Sequence, residues 1–401
     1  MSKRMPNAKQ ENRWLTWEVF GFGLTSFFSD LSHEVATTIL PLFLASLGAP
    51  PYAVGLIEGV SDGLASFAKL LGGWLSDRLG KRKSLALVGY VLTGITQGLF
   101  AFAFVWPLAL LFRAVGWLGR GWRTPIRDAL FHEAVTKETS GRAFGFERVM
   151  DTLGAVIAPL VAFFFISKIG FRNLFFLTWI PGLLAVVTFF LFVNERPVKA
   201  FKRFSLSEGF RSFSDPYRRF LLAVTLFGLA DFSHTLLIYW AGILLMPVYG
   251  AVKASSIAII LYVVHNMVYA AASYPMGHLA DRMGKNLILA FGYAVACLMF
   301  LGLMFAKGNI LFLAVIFVLG GLSIAIEDAL ERALAGDLLS SEIKGTGYGA
   351  LASLNGIGDL FSSFIVGALL SVGSPLLAFG YCLILSALGT LGMLRIQHSP
   401  A

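Results

Sequence analysis

The chain has 401 residues, of which 57% are hydrophobic and 14% charged, with a formal net charge of +9. A soluble core of this length has no need of so apolar a composition, whereas a lipid bilayer selects for it. The two cysteines, Cys297 and Cys382, both sit in apolar runs, which argues against a disulfide framework or a cysteine-based metal site.

The first dozen residues are polar, and the apolar run behind them is too long for the core of a signal peptide, so the first span is expected in the mature protein. A span needs about 20 mostly apolar residues. Twelve stretches meet that need: 15–47, 52–76, 84–105, 108–134, 142–167, 173–193, 219–247, 254–276, 287–306, 310–336, 345–371 and 375–394. Between spans, Lys and Arg gather on one side (Arg78, Lys81, Arg82, Lys83, Arg196, Arg211, Arg282, Lys285), while the other side holds only Lys168, Arg172, Lys253 and Lys307. Positive loops stay inside, which predicts both termini in the cytoplasm and makes the excess charge topological, not a nucleic-acid footprint.

Ionisable residues at bilayer depth cost at least about 2.5 kcal/mol each, so they are functional candidates. The first span carries Asp30, His33 and Glu34 on one helical face. Asp30 lies about twelve residues from the inner end, near the midplane at ~1.5 Å per residue. Burial disfavours the charged form of such groups, which suits proton exchange. The fourth span carries Arg113, Trp117, Arg120, Arg123 and Arg127, and the fifth supplies Glu147 and Asp151. By depth, Arg123 is expected to meet Asp151 and Arg127 to meet Glu147, because unpaired buried arginine is costly. Arg120 is then the least accounted for and the candidate to meet an anionic group on a substrate.

Residues 194–218 form the longest polar interruption and divide the chain into halves 1–193 and 219–401. Phe201, Phe204, Phe210 and Phe213 alternate there with Lys202, Arg203 and Arg211, the pattern of a short helix on the inner membrane surface or of a basic linker near anionic headgroups. In the seventh span, Asp231-Phe-Ser-His234 repeats Asp30-Leu-Ser-His33 at matching depth. This predicts the two Asp/His pairs on opposite walls of one cavity, with Tyr239, His265 and Asn266 as further lining residues. The tenth span adds Glu327, Asp328, Glu331 and Arg332, a buried charge network with the fourth and fifth.

One charged pattern is written twice, half a chain apart: Gly73-Trp-Leu-Ser-Asp77-Arg78-Leu-Gly80-Lys81-Arg82-Lys83 and Gly277-His-Leu-Ala-Asp281-Arg282-Met-Gly284-Lys285-Asn286. It resembles the loop signature of the major facilitator superfamily. The resemblance implies an all-α membrane protein of 12 transmembrane helices in two pseudo-symmetric six-helix bundles. It also implies that Asp77 and Asp281 each face the start of a helix in the opposite bundle, near Ser341-Glu342 and Thr139-Ser140. Arg78, Arg82, Arg282 and Lys285 would complete a charge cluster that shuts the cytoplasmic side. Arg113-Ala-Val-Gly116 is similar to the family's fourth-helix motif, whose arginine is tied to proton transfer in proton-driven members. Gly154-Ala-Val-Ile-Ala-Pro159 partly matches the antiporter motif of the fifth helix, with Ala158, Ala162 and Phe163 where the motif has glycine.

The expectation is a monomeric secondary transporter in a bacterial-type cytoplasmic (inner) membrane, in contact with lipid and a small-molecule substrate. It would export a small organic molecule against protons, with Asp30, Glu34, His33 and Arg113 as coupling candidates. A divalent-metal or metal-chelate carrier using Asp30, His33, Asp231 and His234, or a proton-coupled uptake symporter, are the alternatives. No phosphate-binding loop, metalloprotease or hydrolase motif appears, so neither an enzyme nor a cofactor other than the coupling proton is expected.

Overall fold

The structure is a computed structural model that describes residues 14–49, 51–196 and 206–396. All regular elements among these are helical. The first half comprises α1 (Trp17–Ser46), α2 (Pro51–Leu79), α3 (Arg82–Leu99), α4 (Trp106–Ala134), α5 (Ser140–Leu177) and α6 (Trp179–Phe192). The fifth span and the start of the sixth run together as α5, but the backbone breaks at Gly170 (φ 74°, ψ 173°), a conformation open to glycine and strained for other residues. A six-residue helix, α7 (Leu206–Arg211), precedes the second half. That half comprises α8 (Asp215–Gly228), α9 (His234–Tyr249), α10 (Ala251–Met283), α11 (Lys285–Met304), α12 (Ile310–Leu338), α13 (Lys344–Ser371) and α14 (Pro375–Leu394).

Local sequence sets several of these boundaries. Ser214 caps α8 by accepting from the Tyr217 amide, with Pro216 in the first turn, and Asn309 caps α12 through the Phe312 amide at 3.1 Å. Among the described residues, seven segments are long and apolar enough to cross a membrane by composition alone. The helices outside that set include α4, whose arginines turn toward the protein interior.

In the first half, α1 packs on α5 and α6, and α4 packs on α2 and α3. In the second, α10 packs on α12, α11 on α12 and α14, and α8 on α13 and α14. The halves meet where α5 lies against α10 and α13 lies against α2, two contacts that a twofold axis exchanges. Lipid offers no hydrophobic gain for helix association, so such contacts depend on close packing and polar bonds.

Two expectations are corrected here. The seventh span is not one helix: it is non-helical from Leu229 to Ser233. The backbone groups freed there are satisfied from outside, with Tyr381 donating to the Leu229 carbonyl (2.8 Å) and the Ser233 amide donating to Ser363 Oγ (2.9 Å). The linker does not present all its phenylalanines to lipid either. Phe213 is only 5% exposed and packs on Tyr217 at 4.9 Å, within the core of the second half. Phe201, Phe204, Lys202 and Arg203 lie outside the described residues.

Candidate functional site

A cavity of about 460 Å³ lies between the halves, walled by α1, α2, α4, α5, α12 and α13. One of its ends is sealed by the repeated loop. Asp77 accepts hydrogen bonds from the amides of Gly345 (2.9 Å) and Thr346 (2.5 Å) and from the Thr346 hydroxyl (2.8 Å), all at the first turn of α13. Asp281 accepts from the amides of Gly141 (2.8 Å) and Arg142 (3.0 Å) at the first turn of α5. Each carboxylate thus meets the free N–H groups and positive dipole end of a helix from the other half. Glycine is required alongside: a Cβ on Gly73 would overlap the Gly345 carbonyl, and one on Gly277 would overlap the Gly141 carbonyl. Gly80 and Gly284, which end the two motif helices, have φ of 64° and 102°.

The charges around this seal differ from the expectation. Arg82 is buried, bonding Asp77 (2.6 Å), Glu133 and the Ser341 carbonyl (2.7 Å). Lys285 bonds Asp337 at 2.8 Å and the Lys137 carbonyl. Arg78 and Arg282, by contrast, are exposed, and Arg78 lies over the Trp74 ring. They stand one residue past the aspartates, on the outward face of the helix. His132 adds a link that the motif does not contain: its Nε2 is 2.8 Å from Asp337 and its Nδ1 2.9 Å from Lys344 Nζ.

About five residues deeper along α4, a layer of buried ion pairs crosses from one half to the other. Glu147 is 1% exposed and bonds Arg127 (3.1 Å), Arg332 (3.2 Å) and the Ser26 hydroxyl (2.5 Å). Asp128 holds Arg127 at 2.8 Å. Arg148 bridges Asp151 (2.5 Å) and Asp328 (3.3 Å), and Tyr269 donates to Asp328. Glu331 accepts from Tyr293 and from Asn355 (2.8 Å).

Arg127 therefore meets Glu147, but Asp151 takes Arg148 and not Arg123. Arg123 is only 5% exposed, donates to Ser29 at 2.6 Å and lies 3.9 Å over the Tyr90 ring. Nor is Arg120 left over, since it pairs with Asp30 at 3.2 Å. Asp30 and His33 both line the cavity. The His33 ring stacks on Trp117 at 4.3 Å, with Gln97 and Thr37 each 3.4 Å from a ring nitrogen. Trp117 donates to Asp62 (2.6 Å) and carries Arg113 4.1 Å over its ring, so Arg113 stands behind the indole. Glu34 also faces the cavity, with a side chain 31% exposed.

The second half does not mirror this wall. Asp231 and His234 line a separate cavity of about 20 Å³ with His265 and Glu327. The unwinding at 229–233 takes Asp231 out of the helical register that α1 keeps through Asp30. The four donors suggested for a metal are thus divided between two cavities and form no common set, and no metal-competent group occurs among the described residues. His265 meets His234 edge to face at 4.8 Å and lies 3.4 Å from Asn266. Tyr239 is 60% exposed and lines none of these spaces. Glu327 lines the small cavity, while Asp328, Glu331 and Arg332 line the central one.

Arg148, Tyr269, Asp62, Lys69 and Asp359 belong to the site without having been singled out from the sequence. The i,i+3 spacing of Arg148 and Asp151 was a usable signal for the first, and the seven-residue spacing of Asp62 and Lys69 for two more.

Residues 22–265 and 245–401 match the family profile described as Major Facilitator Superfamily. An uncharacterized MFS-type transporter of Methanocaldococcus jannaschii is 30% identical over 98% of both chains. The multidrug resistance protein MdtG of Klebsiella pneumoniae is 26% identical, over 89% of this chain and 86% of that one. Among solved structures, the Escherichia coli fucose:proton symporter FucP superimposes with a TM-score of 0.77 at 14% identity, covering 96% of this chain and 100% of that one.

Proposed function

This chain belongs to the Major Facilitator Superfamily, and from that premise we propose that it is a secondary transporter exporting a small organic molecule in exchange for protons. The observation that carries the reading is the central cavity itself: polar, enclosed by both halves, and shut at one end by bonds that exist only while that end is closed. Alternating access follows when those bonds break as others form at the opposite mouth. The motif end faces the cytoplasm of an inner membrane, on the positive-inside distribution of Lys and Arg.

Asp30 is the coupling acid in this reading. It borders the cavity and holds Arg120 at 3.2 Å. A proton on Asp30 removes the charge that fixes Arg120, so proton occupancy and the shape of the solute site are linked through one ion pair. His33, held by Trp117, Gln97 and Thr37, positions this wall. The resemblance to MdtG supports export over uptake.

Proteoliposomes test the proposal. Vesicles loaded with a mixture of organic compounds should release some of them faster when an inward proton gradient is imposed, and Asp30→Asn should remove that acceleration. Release indifferent to both the gradient and the substitution would refute proton coupling.

A further inference from the structure

We infer that the transported solute carries an oxyanion, and that Arg123 is the residue that receives it; this deepens the transporter reading above and rests on it. Arg120, Arg127, Arg148 and Arg332 all have carboxylates. Arg123 has a hydroxyl and an aromatic face, and its Nε and Nη1 are buried with no hydrogen-bond partner. The same is true of Arg120 Nη1, Arg148 Nε and Arg332 Nη2 on the same walls. Among the described residues, no buried carboxylate oxygen facing this cavity is orphaned; the one orphaned acceptor there is the neutral Asn355 Oδ1.

The shortage is therefore of acceptors. A buried donor without a partner is rare in native proteins and calls for an absent ligand or water. Arginine offers a planar fork that fits a carboxylate, phosphonate or sulfonate with two parallel bonds. An anion at Arg123 neutralises the one cavity guanidinium that has no acid beside it. The cavity, at about 460 Å³, also holds far more than a bare inorganic ion, so the oxyanion belongs to an organic body.

Thermal unfolding of the purified full-length protein in detergent tests this with one aromatic frame and varied charge: benzoate, benzenesulfonate and phenylphosphonate against benzylammonium and benzyl alcohol, with inorganic phosphate as a separate arm. At least one of the three organic anions should raise the melting temperature, and the cation, the alcohol and inorganic phosphate should not. Arg123→Gln should weaken the apparent affinity by about ten-fold or more. Arg123→Lys, which keeps the charge without the fork, should weaken it by less and serves as the test if the glutamine variant does not fold. Equal stabilisation by cation and anions, stabilisation by inorganic phosphate alone, or anion affinity unchanged in both variants would overturn the inference. Binding in detergent needs no gradient. Anion binding through Arg123 without proton-linked flux would defeat the coupling proposal alone, and proton-linked flux without anion binding would defeat this one alone.

Discussion

Replacing Asp77 by asparagine keeps the shape of the side chain and removes its charge. Across the halves, the carboxylate accepts three hydrogen bonds from α13, at 2.9, 2.5 and 2.8 Å. None survives once this end opens, so together they bias the closed state. A hydrogen bond to a charged group contributes about 1.5 kcal/mol at the low end of its range, giving roughly 4.5 kcal/mol for three. Asparagine keeps one acceptor oxygen, worth about 1 kcal/mol, while its amide meets an N–H of α13 donor to donor. The net loss is about 3.5 kcal/mol, a fall of roughly 300-fold in the closed-to-open ratio. The Arg82 pair lies within one half and cancels between states. Spin labels on Leu79, which is 47% exposed, and on Ser340, exposed on the other half, report the separation of this end. Asp77→Asn should add a population at longer distance, and Asp215→Asn, on a side chain 82% exposed, should add none. A distance distribution for Asp77→Asn that superimposes on wild type would refute the reasoning.

Other perturbations separate the parts of this arrangement. Gly73→Ala puts a methyl group into the Gly345 carbonyl, where main chain on both sides cannot yield, so the Leu79–Ser340 spin-label distance should lengthen. Gly63→Ala, in the same helix with nothing within 4 Å of an added Cβ, should leave that distance unchanged. Glu147→Gln leaves Arg127 and Arg332 short of their shared carboxylate; a loss of about 3 kcal/mol, seen as a lower melting temperature, is expected. His132 accepts from Lys344 at Nδ1 and donates to Asp337 at Nε2, the neutral ring. A second proton would set an N–H against the Lys344 ammonium, with only Asp337 opposing it and Lys285 adding to the repulsion. Acidification should therefore lengthen the Leu79–Ser340 distance in wild type and not in His132→Gln; the same pH response in both would refute the role of the ring.

The architecture was legible because its signals are long and periodic. Spans of 20 or more apolar residues and a loop pattern written twice leave few alternatives, and the helices that receive Asp77 and Asp281 start at Lys344 and Ser140, within a few residues of the positions expected. The pairing of buried charges was less legible, because depth along a helix is readable from sequence but azimuth against a neighbour is not. Arg123 and Asp151 share a depth, yet Arg148 on the helix of Asp151 was nearer. Asp231 misled for a different reason. Its tetrapeptide copies that of Asp30, but the backbone around it unwinds, supported by Tyr381 and Ser363 from distant spans, and no local pattern announced that.

The seal is made largely of peptide groups: amides of Gly141, Arg142, Gly345 and Thr346, with bare α-carbons pressed against carbonyls. A latch of this kind recognises no cargo. The wall of Asp30, His33, Trp117 and Arg120, which pairs within one half, can be rewritten without breaking a bond between the halves, and the door can be weakened without altering what that wall prefers. Selectivity at that wall and gating at the seal are thus open to independent adjustment by natural drift or by a protein engineer, while the Glu147 and Arg148 pairs tie the remaining walls to the closed state.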